Sequence, residues 1–481
     1  MTTPTLLLTP RRTALLADHD NALDVLVRVQ APDLPAEQVP KRSPLNIALV
    51  IDRSGSMSGQ PLDEARRCAE FVIDGLTAAD RASLVVYDNN VNTLVPFTAL
   101  TDREVFHRAI RAVTSGGMTN LHGGWLAGAE TLAPHTSAES ISRVILLSDG
   151  CANQGLTDTA VIAAQCQQLA DAGVCTSTYG LGRDFNEELM VAMARAGRGN
   201  NYYGQTAEDL MDPFREEFAL LTALCARGLQ LKLAAADGVR MEVLNDYAKV
   251  DASTWRLPDL AYGAEAWALV RLHLSREQVA SLGGNAARLL TASLRYDDIA
   301  GEPRAIQPQS LALPALSASA FGAIAEDALV KRRAEELEAA RLQETAREAA
   351  LQGDWPTVER LMKTIEAFGA DNEWVREIAV ELRQLARRRD AAIFAKESRY
   401  TAQRMTSRLA SRDEMAEPLN APVPDFIRRK RAQGKRDPRT PRDFDAVADA
   451  GETLGIRLER TCSERLCRNG TSFRRKGFVG T

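Results

Sequence analysis

Between residues 46 and 226, short apolar runs rich in β-branched residues alternate with longer amphipathic stretches. The runs predict buried strands, and the apolar residues spaced three and four apart between them predict helices. The strand candidates are residues 47–52, 82–88, 143–149 and 174–182. Residues 91–98 follow the second strand too closely for a helical crossover, so they are predicted as an antiparallel edge strand. The pattern indicates an α/β fold over residues 45–226, with a doubly wound, mostly parallel sheet of Rossmann-like layout.

The period of the pattern changes to two after residue 226. Apolar residues occupy alternate positions in 229–233 and again in 290–296, which predicts half-buried strands. Residues 227–320 are therefore predicted to form a small β-sandwich. The same alternation appears at 23–29, so residues 1–44 are predicted to contribute strands that complete this sandwich. The α/β domain would then be an insertion into the β-sandwich.

The last third of the chain predicts helices and then a tail. Residues 321–412 are rich in Ala, Glu, Arg and Leu, and Gly353 followed by Pro356 predicts the end of one helix and the start of another. An α-helical hairpin or bundle is expected here, with a third helix after the hairpin. The periodicity is lost in residues 413–481, which contain the basic run 428–436 and are predicted to form a flexible, basic tail.

Composition and charge restrict the class of protein. At 481 residues, 45% hydrophobic and 26% charged, the chain is long enough for about three globular domains and is neither mainly disordered nor membrane-embedded. Its net charge is −5, yet residues 427–481 carry 15 Lys and Arg against 7 Asp and Glu. Because phosphate binding needs a basic surface, the acidic body disfavours nucleic acid as its main partner, and only the tail would suit it.

The cysteines and the N-terminus favour a cytoplasmic protein. The seven cysteines lack the paired spacing of a zinc site and are expected to be reduced thiols. The N-terminal residues do not have the layout of a signal peptide, and no window reaches the roughly 18 apolar residues of a membrane span. We therefore expect a cytoplasmic location and no membrane partner.

Carboxylate and hydroxyl residues follow predicted strands at three separate places. The first strand ends in Asp52, which is followed by Ser54 and Ser56, and another strand ends in Asp149. Thr119 lies in the glycine-rich loop 115–120, whose glycines permit close backbone approach. These elements would meet at the carboxyl edge of the sheet, where open α/β folds place ligands. Oxygen-only donors suit a hard divalent cation, so a Mg²⁺ site is predicted, with Mn²⁺ or Ca²⁺ as substitutes.

These five residues carry a resemblance to a known family. Residues 46 to about 226 resemble the von Willebrand factor type A domain, and Asp52, Ser54, Ser56, Thr119 and Asp149 match the five positions of its metal-ion-dependent adhesion site. The resemblance implies that the metal binds an acidic side chain, Asp or Glu, exposed on a partner protein. It therefore indicates a metal-dependent protein-binding scaffold.

Residues beside the five are candidates for the rim that a partner would contact. They are Arg53, Gly117, Asn120 and Gly150. Arg53 would steer an acidic partner or simply be solvated, and Asn120 would contact the partner or only shape its loop. His122 is three residues after Thr119, but imidazole suits an oxygen-ligated magnesium site poorly, so helix packing or exposure is expected instead.

The layout of the whole chain resembles bacterial von Willebrand A proteins related to the inter-alpha-trypsin inhibitor heavy chain. In such a scaffold the helical region would hold a second protein. An alternative is a component of a bacterial signalling or stress-response cassette that works with a kinase, a phosphatase or an AAA+ ATPase. Thr401, Thr406 and Ser407 lie near basic residues and would be phosphorylated in that case. The resemblance also implies that the helix at 206–226 would shift when ligand binds.

Catalysis is not expected from the motifs. Aspartyl-phosphate phosphatases need a second Asp two residues after the first, and that position is Ser54 here. The sequence has no nucleophile elbow, Walker loop or zinc-protease His pair. The prediction is a binding protein and not an enzyme. Nucleic-acid binding through the basic tail is the weakest of the alternatives, and it would be recognised by its salt dependence.

Overall fold

Three strands open the described part of the chain: β1 (Thr5–Pro10), β2 (Leu15–Leu16) and β3 (Asn21–Gln30). The structure is a computed structural model that describes residues 3–33, 42–149, 152–181, 186–204, 208–281, 286–370, 372–407 and 410–411. The predicted basic tail at 413–481 lies outside these residues. Within the described ranges, no helix combines the length and the apolar character needed to cross a membrane.

The α/β domain contains a six-stranded sheet in the order β6-β5-β4-β7-β8-β9. All neighbours are parallel except β6, which pairs antiparallel with β5 at one edge, as predicted. The elements are β4 (Leu45–Asp52), α1 (Gln60–Gly75), β5 (Arg81–Tyr87), β6 (Val91–Ala99), α2 (Arg103–Arg111), α3 (Leu121–Leu132), β7 (Ile141–Ser148), α4 (Thr159–Asp171), β8 (Val174–Leu181), α5 (Glu187–Ala196), β9 (Arg198–Gly204) and α6 (Glu208–Thr222). The predicted fold class is confirmed.

Helices cover both faces of this sheet. Successive residues of β4 are all buried and belong alternately to two hydrophobic clusters, with Ile47 and Leu49 in one and Ala48 and Val50 in the other. The first cluster packs against α1, α2 and α6, and the second against α3, α4 and α5. Because β4 is covered on both sides, residues 47–51 are continuously apolar and do not alternate with polar residues.

Two features of the α/β domain differ from the sequence prediction. Strand β9 was not predicted, because its sequence RGNNYYG has no run of aliphatic residues. The helix expected to reach residue 226 ends at Thr222, since the chain enters the next strand at Leu224. Buried Glu217 of α6 lies 3.0 Å from the Arg143 guanidinium and accepts a hydrogen bond of 3.0 Å from Tyr202, which ties this helix to the sheet.

A β-sandwich follows the α/β domain. Its elements are β10 (Leu224–Ala235), β11 (Arg240–Val243), β12 (Lys249–Asp251), β13 (Thr254–Arg256), β14 (Leu260–Ala261), β15 (Ala264–Leu274), α7 (Arg276–Ser281), β16 (Ala287–Asp298), β17 (Pro303–Leu313) and β18 (Ala315–Leu316). One sheet has the order β1-β3-β15-β11, and the other has the order β12-β13-β10-β16-β17 with β14 beside β10. The alternate apolar residues of β3, β10, β15 and β16 share one core between the sheets.

Strand β3 connects the beginning of the chain to this sandwich. It pairs antiparallel with β15 over its whole length, from Asn21 opposite Leu274 to Gln30 opposite Glu265. The entire α/β domain therefore lies between two parts of one sandwich in the sequence.

The C-terminal helices are α8 (Ala318–Gly322), α9 (Ala328–Leu351), α10 (Trp355–Phe368), α11 (Glu373–Arg388) and α12 (Ala391–Ser407), and they are followed by β19 (Ala410–Ser411). Gly353, with a φ of +75°, follows α9, and Pro356 lies in the first turn of α10, as predicted. The region has four long helices where a hairpin and a third helix were predicted. The extra break comes at Arg389, which ends α11 in the left-handed conformation.

This helical region packs on the outer face of the sandwich. Leu26 of β3 and Trp267 of β15, both in the first sheet of the sandwich, form one hydrophobic cluster with Leu329 and Val330 of α9. Thr401, a candidate phosphorylation site, is buried in α12, and its hydroxyl donates a hydrogen bond of 2.6 Å to Gln343. Because this hydroxyl faces the interior, the folded protein does not present Thr401 to a kinase. Phosphorylation of Thr401 stays a prediction, and the burial of its hydroxyl argues against it.

Candidate metal site

Asp52 is the last residue of β4 and is completely buried. One of its carboxylate oxygens accepts a hydrogen bond of 2.8 Å from the Ser54 backbone N–H, and the other accepts one of 2.6 Å from the Ser148 hydroxyl. Burial raises the pKa of Asp52 above its ordinary value, while these hydrogen bonds act in the opposite direction. The carboxylate is thus held in one orientation at the carboxyl edge of the sheet.

Ser56 joins two of the elements that end at this edge. Its hydroxyl donates a hydrogen bond of 3.1 Å to the Asp149 carboxylate and lies 3.2 Å from the Ser54 hydroxyl. Since Ser56 donates to Asp149, Ser54 must be the donor in the second contact. Asp149 follows β7 directly and is 8% exposed, whereas Ser56 is exposed. The structure therefore brings these residues together, with Ser56 on the solvent side.

The glycine-rich loop reaches the same edge. The backbone oxygen of Gly117 accepts a hydrogen bond of 3.0 Å from the Gly55 N–H, which fastens this loop to the one that follows β4. Gly117 has a φ of +85°, a conformation that glycine adopts without strain. Thr119 is buried, and its N–H donates a hydrogen bond of 2.9 Å to the Asn153 side chain. All five predicted site residues therefore lie at one edge of the sheet, Asp52 at the end of β4 and the other four in the segments that reach this edge.

The predicted rim residues have more varied surroundings. Arg53 lies 3.1 Å from Asp88, so its charge is already partly neutralised by a neighbour on the adjacent strand end. Asn120 is the N-cap of α3 and accepts a hydrogen bond of 3.1 Å from the Gly123 N–H. Gly117 is exposed, and Gly150 lies outside the described residues. Met118, which the sequence analysis did not select, is 46% exposed beside Thr119.

His122 is not a neighbour of the carboxylates. Its Nε2 lies 2.7 Å from the Gln165 side-chain oxygen, and its ring is next to Trp125. These neighbours agree with the expectation of helix packing or exposure for His122.

The donor set fits a hard divalent cation. It consists of two carboxylates and three hydroxyls, the oxygen ligands that Mg²⁺, Mn²⁺ and Ca²⁺ accept. Among the described residues, no Lys, Arg or His pairs with Asp52, so this buried carboxylate has no protein cation to balance its charge. The described chain also has no group of three His, Cys, Asp or Glu side chains suited to a metal. Any cation here would depend on the hydroxyls as well as the carboxylates.

Sequence reasoning missed the residues that position this set. Ser148 binds Asp52, Asn153 binds Thr119, and the Asn89 side chain accepts a hydrogen bond of 2.6 Å from the Met118 N–H. One signal was available: the polar run at 88–90 follows β5 just as the Asp52 loop follows β4. The partners of Ser148 and Asn153 depend on contacts between strands and loops, which no local pattern shows.

Comparison with known proteins identifies the domain that carries this site. Residues 46–216 match the family model for the von Willebrand factor type A domain. The chain therefore contains such a domain, as the resemblance of its motifs indicated.

Relatives include bacterial and animal proteins. An uncharacterized protein of Synechocystis sp. is 26% identical over 275 residues, which are 55% of this chain and 64% of that protein. Human inter-alpha-trypsin inhibitor heavy chain H3 is 28% identical over 194 residues, 38% of this chain and 22% of its own. The chain thus spans less than two thirds of the length of either relative.

A solved structure shares the fold beyond the matched domain. The von Willebrand factor type A protein from Catenulispora acidiphila has a TM-score of 0.62 and 17% identity, and the match covers 84% of this chain and 97% of that one. At this identity the likeness shows the fold alone.

Proposed function

We propose that the von Willebrand factor type A domain of this chain binds a divalent cation, and through it an acidic side chain of a partner protein. The observation that carries the proposal is the hydrogen-bonded link from Ser54 through Ser56 to Asp149, beside the buried carboxylate of Asp52. A cation bound there would replace these internal hydrogen bonds with ligand bonds. It would also balance the charge of Asp52, which burial otherwise disfavours.

The residues that would hold the cation are Asp52, Ser54, Ser56, Thr119 and Asp149. When bound, the cation would supply an exposed positive charge that attracts a carboxylate. Mg²⁺ is the proposed occupant, and Mn²⁺ or Ca²⁺ would be accepted because they prefer the same oxygen ligands. The carboxylates of Asp52 and Asp149 would together balance the charge of such an ion. A third carboxylate, from a partner, would therefore need an open coordination position on the ion.

The surroundings favour a partner with an acidic residue next to an apolar one. Exposed Met118 lies beside Thr119 and offers an apolar contact at the rim. Arg53 contributes less attraction than a free arginine would, since Asp88 lies 3.1 Å away. The role proposed is binding and not catalysis, because the position of a second acid after Asp52 holds Ser54.

A capture experiment tests this proposal. The full chain would be immobilised and exposed to lysate of its source organism, in Mg²⁺ and in EDTA, as wild type and as Asp52→Asn/Ser54→Ala. Glu130→Gln is the matched control, because Glu130 is exposed on α3 of the same domain. We expect proteins that bind wild type and the control in Mg²⁺ but not in EDTA, and not the double variant.

The captured partner then provides a second test. Replacing the contacted Asp or Glu of the partner with its amide should abolish Mg²⁺-dependent binding, because the neutral side chain does not balance the cation. Capture that is unaffected by EDTA and by the double variant would contradict the proposal.

A further inference from the structure

A cavity of about 1520 Å³ lies at the opposite edge of the α/β sheet from Asp52. Its walls come from three parts of the chain: the amino ends of β7, β8 and β9, the β-sandwich between residues 227 and 301, and helices α9 and α12. Small-molecule sites are commonly clefts of about 300–1,000 Å³ between such units. The cavity is therefore large enough for an organic ligand.

Arginine dominates the charged lining of this cavity. The lining includes ten arginines, six Asp or Glu residues and no lysine. Several of the arginines have carboxylate partners, such as Arg143 with Glu217 at 3.0 Å and Arg195 with Asp246 at 2.7 Å. These pairs account for part of the charge and serve to hold the walls together.

Arg256 differs from the paired arginines. No described carboxylate lies within ion-pairing distance of its guanidinium, and Asp259 attracts it only from farther away. One Asp259 oxygen already accepts a hydrogen bond of 2.8 Å from the Gly228 N–H. Arg256 is thus a cation at the cavity wall without a close counter-charge in the described chain.

Arg198 lies near enough to Arg256 for their charges to interact unfavourably. Burial and, to a smaller extent, the positive charge of Arg256 lower the pKa of Arg198 to about 10, while the charge of Asp259 acts in the opposite direction. Arg198 pairs with Asp171, and its backbone has a φ of +55°, which is strained for a residue with a side chain. The fold therefore places two guanidinium groups near each other on the wall of one cavity.

We propose that Arg198 and Arg256 bind the phosphate or carboxylate group of a small organic anion in this cavity. Planar guanidinium groups bind both kinds of oxyanion through paired hydrogen bonds, and an anion between them would relieve their repulsion. Apolar residues such as Leu244 and Leu337 line the same space and would contact the body of the ligand. This site is separate from the candidate metal site and does not depend on it.

Isothermal titration calorimetry of the full chain tests the proposal. The probes are inorganic pyrophosphate, ATP and citrate, at low ionic strength, in buffer and protein freed of divalent metal by a chelating resin, because dissolved EDTA is itself a small polycarboxylate. A polyglutamate peptide is the comparison ligand. We expect at least one probe to bind wild type, and Arg256→Gln to weaken that binding by about tenfold or more. Arg256→Lys should retain part of the affinity. Arg295→Gln should bind as wild type does, because Arg295 is an exposed residue of β16 that does not line the cavity.

The outcomes separate the possible ligands. Binding of pyrophosphate and ATP without citrate would assign a phosphate group, and binding of citrate alone a carboxylate. The proposal would be overturned if none of the probes binds, if Arg256→Gln binds as tightly as wild type with an unchanged melting temperature, or if only a polyglutamate peptide binds. The last result would indicate an acidic protein segment instead of a small molecule.

Discussion

Ser56 donates a hydrogen bond of 3.1 Å to Asp149, although the two residues are 93 positions apart in the sequence. Each follows a different strand of the same parallel sheet, and the strands place both side chains at one edge. Ser56 is exposed whereas Asp52 is completely buried, so the candidate site extends from the interior to the surface. The buried side chains would hold a cation from the interior of the domain, and a partner would reach it from the solvent side.

Metal binding should depend on the two carboxylates. Addition of Mg²⁺ or Mn²⁺ at about 100 times the dissociation constant should stabilise the domain by about 2.7 kcal/mol, which raises the melting temperature by several degrees. Asp52→Asn and Asp149→Asn keep the shape of the side chains but remove their charge, so both should abolish this rise. Differential scanning calorimetry with and without EDTA measures the effect.

Glu130→Gln serves as the control for this experiment, because it removes one charge from an exposed position of α3. Its melting temperature should respond to metal as that of wild type does. A metal-dependent rise that persists in both Asp variants would show that the cation binds elsewhere.

The glycine-rich loop offers a test of geometry without any change of charge. Gly117→Ala should destabilise the domain by about 1–3 kcal/mol and weaken metal binding, because φ is +85° and the new Cβ would lie 2.2 Å from the Asn89 side-chain oxygen. Gly116→Ala is the matched control, since its Cβ would have no atom within 4 Å. Urea unfolding and metal titration of the two variants should differ accordingly, and equal effects would refute the role of Gly117.

The sequence was sufficient to predict most of the α/β fold because its inner strands are buried on both faces. β4, β5 and β7 contain apolar runs that are visible without a structure. β9 lies at the sheet edge, where polar residues are tolerated, so its pattern was not recognised. The end of α11 at Arg389 was missed because a left-handed cap is usually signalled by glycine.

Most of the candidate site was also predictable from the sequence, because its residues belong to local patterns. Asp52, Ser54 and Ser56 form a short local motif, and Asp149 ends a strand that is easily recognised. Their supporting residues are set by register: Ser148 is opposite Asp52 only because β7 lies beside β4. The ion pair between Arg53 and Asp88 depends on the neighbouring strand β5 in the same way. Contacts of this kind require the sheet order, which local patterns do not contain.

Asp80, the residue before β5, should make a pH-dependent contribution to the stability of the fold. Burial alone would raise the pKa of Asp80, but the hydrogen bonds from Arg42, the Leu45 N–H and Thr77 outweigh it and lower that pKa. A lowered pKa stabilises the fold at pH values above the ordinary value of 3.8, and this contribution is lost as the pH falls through the pKa of the folded state. Asp80→Asn should therefore lower the free energy of unfolding by about 1–3 kcal/mol at pH 7.

The difference between wild type and Asp80→Asn should shrink as the pH is lowered from about 5 to about 2, because protonation removes the same charge from the wild type. Urea unfolding at a series of pH values measures it. Asp74→Asn is the control: its side chain is 62% exposed beside His107, and an exposed pair contributes little. A constant difference at all pH values would mean that the charge of Asp80 does not stabilise the fold.

Negative charge at Thr401 should disrupt the helical region and not regulate it. Thr401 is 4% exposed, and its hydroxyl donates a hydrogen bond of 2.6 Å to the Gln343 side-chain oxygen and lies 2.7 Å from the Glu397 backbone oxygen. Thr401→Glu would bury a charge and leave Gln343 without this donor, so the free energy of unfolding should fall by at least about 2 kcal/mol. Thr345→Glu, at an exposed position of α9, should change it by less than about 0.5 kcal/mol. Equal unfolding midpoints for the two variants in urea would show that Thr401 is accessible, and phosphorylation at that residue would again be compatible with the folded protein.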